Sequence, residues 1–138
     1  MKTRSEVYLA YSAWRIDLHR SRKPRLTVRF FRRSRNHSLI WNFVMQGYFQ
    51  GTPRTMGECE DIAGWSRPTT RKLLNDARQR GFLDIQTAED DQRKRLVLPT
   101  PVTIAEYESM VKGHIAFVSS LIAPKQTRKP RTRTKAGS

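Results

Sequence analysis

Acidic side chains are scarce in this sequence: 12 Asp and Glu stand against 27 Lys and Arg, and none occurs from Leu18 to Gly57. The net charge of +15 creates a field that attracts polyanions, either nucleic acid or an anionic membrane surface. Long apolar runs are missing too. Nothing approaches the ~20 residues of a membrane-spanning helix, which argues against a membrane partner. VYLAYSAW, near the N-terminus, is followed by Arg-Ile-Asp and no small-residue cleavage site, so it does not read as a signal peptide. Cysteine occurs once, as Cys59, which excludes an internal disulfide and suits a reducing cytoplasm. His19, His37 and His114 lack ligand spacing, so no metal site is expected. No P-loop, dinucleotide fingerprint or nucleophile elbow is present, and neither a cofactor nor an enzymatic activity is expected.

What the chain does contain is one domain's worth of core, 138 residues at 37% apolar, with basic appendages. Residues 1–35 read as an N-terminal helix and basic arm, 36–122 as a folded domain, and 123–138 as a disordered basic tail. That tail, APKQTRKPRTRTKAGS, has no large hydrophobe to offset the entropy of ordering it. Val7, Tyr8, Tyr11, Trp14 and Leu18 recur at helical spacing, and Pro24 ends any helix there. Leu26, Val28 and Phe30 alternate in RLTVRFF, which predicts a short strand. SLIWNFVMQGYF, entered at Asn36 or Ser38, predicts a buried helix in which Trp41, Phe43, Tyr48 and Phe49 belong to the core. Thr55 and Glu58 have the spacing of a capping box for a short helix. Gly64 is placed for a left-handed turn after it.

A second helix follows. Ser66 is its N-cap, Pro68 sits in the tolerated first turn, and Thr70, Leu73, Leu74 and Ala77 form an inward stripe up to Gly81. FLDIQ and RLVLP flank a polar tip and predict a two-stranded hairpin. Thr100-Pro101 caps a last helix with an apolar face of Ile104, Tyr107, Val111, Ile115, Val118 and Ile122. The whole is mainly α with a small β-hairpin wing, a winged helix-turn-helix. A helix with Ser66, Arg67, Thr69, Arg71, Lys72 and Asn75 on its outer side fits the major groove of double-stranded DNA. Arg93, Lys94 and Arg95 at the hairpin tip reach the neighbouring backbone or minor groove. The basic arm around Arg20 to Arg35, with the tail, adds phosphate contacts that position rather than specify.

From about Thr55 to Thr100, a third of the chain, the sequence resembles the MarR family of bacterial winged-helix regulators. The resemblance lies in SRPTTRKLLNDARQRGFLDI and in DDQRKRLVLPT. It implies a cytoplasmic, nucleoid-associated transcriptional regulator, a homodimer through its terminal helices and open to a small-molecule effector. It also implies that Arg93 enters the minor groove while Asp91 holds it in place; the alternative is that Asp90 and Asp91 only form the turn. One departure stands out. Glu60 occupies a place the family keeps small, so either Ile62 and Ala63 take the core role or the packing is unusual. Two rival readings use the same fold: an architectural DNA binder with little sequence preference, favoured by the charge excess, and a module that binds protein or RNA.

Overall fold

The computed structural model describes residues 3–20 and 25–122; the basic tail and part of the arm lie outside them. The chain divides into two compact units, Pro24–Met110 and a smaller one combining Met1–Lys23 with Val111–Ser138.

The larger unit begins with helix α2 (Leu26–Phe31), after α1 (Arg4–Arg20) of the smaller unit. The predicted strand at RLTVRFF is therefore a helix. Its buried residues are Thr27, Val28, Phe30 and Phe31, a three- and four-residue spacing that the alternation of Leu26, Val28 and Phe30 conceals. The first turn takes its cap from far along the chain. One Glu106 carboxylate oxygen accepts from the Thr27 amide at 3.0 Å, the Thr27 hydroxyl at 2.6 Å and the Val28 amide at 3.4 Å. A carboxylate on three donors at a helix N-terminus satisfies amides that would otherwise be orphaned.

Helix α3 (Arg35–Gln50) starts at the Ser34 N-cap, slightly earlier than predicted, and buries Ile40, Trp41, Val44 and Met45. Trp41 stacks on Phe31 with ring centroids 5.5 Å apart. Phe43 packs partly buried against this core. Tyr48 and Phe49, expected inside, are exposed. The chain then forms β1 (Arg54–Thr55) and α4 (Met56–Ile62), where the capping box is complete: Thr55 Oγ1 accepts from the Glu58 amide and Glu58 accepts from the Thr55 amide. Gly64 does not take the left-handed turn; positive φ belongs to Gly51 and Gly81. A close approach to a side chain of α3 crowds this position instead. Its amide donates to Asn36 Oδ1 at 3.2 Å, and a Cβ would sit 3.0 Å from that oxygen.

Helix α5 (Arg67–Gln79) buries Thr70, Leu73, Leu74 and Ala77, the predicted stripe, and ends at Gly81 with φ +80°. Strands β2 (Leu83–Thr87) and β3 (Arg95–Pro99) form the hairpin, with Ile85 opposite Val97. The sheet has a third strand that the pattern did not predict: β1 pairs antiparallel with β3, giving the order β1-β3-β2. Two residues are too few to show any alternation. Helix α6 (Pro101–Ile122) follows. Thr100 supplies the carbonyl for its first turn, while its hydroxyl bridges back to the carbonyls of Gly81 and Phe82 and lies 3.3 Å from the Thr103 hydroxyl. Ile104 and Tyr107 pack on the core.

In the smaller unit Trp14 stacks on Phe117 at 4.6 Å and meets His114 edge-on at 4.7 Å. None of the α1 residues is buried. Tyr8, Leu9, Tyr11 and Ile16 are exposed, as are Ile115, Val118 and Ile122. The two predicted apolar stripes are therefore only partly covered: Val7, Trp14, Leu18, Ile104, Tyr107 and Val111 are half-buried, while Tyr8, Tyr11, Ile115, Val118 and Ile122 are exposed. Among the described residues no helix is long and apolar enough to cross a membrane.

Candidate nucleic-acid interface

The buried stripe of α5 fixes which side chains face outward. With Leu73, Leu74 and Ala77 inside, Arg67, Thr69, Arg71, Lys72 and Asn75 are all exposed, the five predicted for that face. Ser66 caps the helix as expected, accepting from the Thr69 amide. Its hydroxyl also shares a hydrogen bond with the Thr69 hydroxyl at 2.9 Å, so these two groups are first of all a helix cap.

The arginines are organised by a residue whose role the sequence did not reveal. Glu60 is 5% exposed, on a helix turn that helix-turn-helix units usually fill with a small side chain. Cys59 beside it is fully buried; of the pair expected to take the core role, Ile62 is exposed and Ala63 packs partly buried against the core. The Glu60 carboxylate turns towards α5 and takes two cations: Arg67 Nη1 at 2.9 Å on one oxygen and Arg71 Nε on the other. Arg67 extends its second nitrogen, Nη2, to Asp61 at 2.7 Å. A buried carboxylate is costly unless paired and hydrogen-bonded. Both arginine side chains stay largely in solvent while meeting that need. The spacing Glu60, Arg67, Arg71 was the available signal, but it crosses a turn whose geometry the sequence alone does not define.

The wing is arranged differently. Asp91 Oδ1 accepts from the Arg93 backbone amide at 2.9 Å, and the Asp91 carbonyl accepts from the Lys94 amide at 3.0 Å. Among the described residues Asp91 makes no ion pair with the Arg93 guanidinium. The acid holds Arg93 by its backbone amide and so shapes the turn. Arg93, Lys94 and Arg95 are exposed. They meet the recognition surface across a groove of about 650 Å³ lined also by Glu60, Arg71 and Asn75. A second groove, about 780 Å³, runs along α5 past Arg67, Lys72 and Gln79.

Known structures share this fold. The chain is similar to S. aureus MepR bound to ethidium bromide, with a TM-score of 0.66 at 12% identity, covering 88% of this chain and 82% of that one. This is the MarR-type winged-helix fold. The same fold likeness extends to an S. aureus MepR–DNA complex (TM-score 0.57, 14% identity, 80% of this chain and 88% of that one). It extends also to the transcriptional regulator Tm0710 from Thermotoga maritima (TM-score 0.55, 18% identity, 91% and 85%). No protein-family model and no curated protein matches the sequence.

Within this winged helix, Cys59 is fully buried. Burial, with the neighbouring Glu58 carboxylate, pushes its thiol up to about 12, so at neutral pH it is a protonated apolar group.

Proposed function

We propose that this winged-helix chain is a sequence-specific DNA-binding transcriptional regulator. One observation carries the reading: a single groove brings Arg71 and Asn75 of α5 together with Arg93, Lys94 and Arg95 of the wing. A helix of this polarity suits the major groove, and a cationic wing beside it suits the adjacent backbone and minor groove. Ser66, Thr69 and Lys72 extend the same face towards phosphates, and Asp91 serves by shaping the wing turn. The net charge of +15 supplies the long-range attraction. The exposed apolar groups of α1 and the end of α6 support a homodimer, because a soluble chain rarely leaves such a set unpaired. The regulator acts in the cytoplasm, on the nucleoid.

The deciding experiment is selection of bound duplexes from random DNA at ~150 mM salt, where screening trims nonspecific attraction. A palindrome with half-sites about one helical turn apart is the expected product. Bound DNA without any motif would sink this reading and favour an architectural binder, the second reading, which the excess of positive charge supports.

A further inference from the structure

We infer that Arg71 is the base-reading arginine of this chain, that its target is a guanine in the major groove, and that buried Glu60 is the positioning residue that aims it. The inference rests on the DNA-binding reading above and deepens it. The two arginines on Glu60 are held in unlike ways. Arg67 spends both ends of its fork on acids, Nη1 on Glu60 and Nη2 on Asp61. Arg71 is held through Nε alone, and among the described residues its two Nη groups have no partner. They form the pair of parallel donors that matches the O6 and N7 acceptors of guanine.

A free arginine must lose rotamer freedom to make that contact. Here the loss occurs on folding. Glu60 belongs to α4, is almost wholly buried, and anchors the guanidinium where the floor of the recognition helix meets the groove shared with the wing. Arg67 is thereby assigned to holding the α4–α5 junction rather than to reading bases.

The test compares selected DNA motifs and salt dependence for the full chain and three variants. Arg71→Lys keeps the charge but removes the fork. It is expected to erase a guanine preference at one position in each half-site, lowering discrimination there by about 5- to 150-fold, with an unchanged salt slope because the cation count is unchanged. Glu60→Gln keeps the volume and should weaken the same preference and no other. Arg67→Lys should leave the motif intact. A wild-type motif that survives both Arg71→Lys and Glu60→Gln overturns this inference and leaves the regulator reading standing. No wild-type motif at all overturns the regulator reading itself. A motif lost in Arg71→Lys but kept in Glu60→Gln removes Glu60 from the assignment. A measurement on the unmodified chain guards against poor folding of Glu60→Gln. The Arg71 Nε–H should exchange slowly with solvent in the free protein, and exchange as fast as that of an exposed arginine would refute the anchoring.

Discussion

The recognition helix and the wing carry the same kind of charge and hold it by opposite means. On α5, Arg67 and Arg71 are tied to carboxylates of the preceding helix, one of them buried. On the wing, the nearest acid takes a backbone amide, and Arg93, Lys94 and Arg95 extend into solvent without ion pairs among the described residues. A guanidinium fixed before binding favours direction, whereas an unfixed one favours reach. Under the proposed function, the helix would discriminate and the wing would attract and adjust. The difference follows from what lies beneath each. Leu73, Leu74 and Ala77 seat α5 on the core, while only Ala88 is buried in the hairpin tip.

The comparison can be broken first at its base. Leu74→Ala should lower the unfolding free energy by about 2–5 kcal/mol, and Gln92→Ala at the wing tip should stay within roughly 0.5 kcal/mol of wild type. Urea denaturation measures both, and comparable losses would mean that the two regions are equally anchored. Next in size is Arg93→Ala, which should weaken DNA binding by about 1–3 kcal/mol. An unchanged affinity in fluorescence anisotropy would discard the wing as a contact. The smallest effect separates shaping from gripping. Asp91→Asn retains an acceptor for the Arg93 amide and should bind as well as wild type, while Asp91→Ala loses that bond and costs about 0.5–1.5 kcal/mol of stability. Were Asn as damaging to binding as Ala, the carboxylate's charge would matter after all.

Much of this was legible in the residues. The stripe Thr70, Leu73, Leu74 and Ala77 is read directly from helical periodicity, and it defines the opposite face as Arg67, Thr69, Arg71, Lys72 and Asn75. The capping box at Thr55 and Glu58 and the hairpin flanking the polar tip are equally local. Such features depend on backbone geometry over a few residues, which side-chain type and spacing encode. Longer-range links escaped. RLTVRFF looked like a strand because nothing nearby announces that Glu106 caps it as a helix. The two-residue β1 exists only because β3 offers it a partner. Gly64 suggested a turn, but its close neighbour is Asn36, 28 residues earlier.

The sequence by itself determined the basic charge, the helix-turn-helix with a wing and the identity of the outward cations, because charge and periodicity are properties of the chain. Only the tertiary structure decided what each cation is attached to. A side chain's freedom depends on partners brought near by folding, and the burial of Glu60 against two arginines is a contact that neither periodicity nor composition encodes.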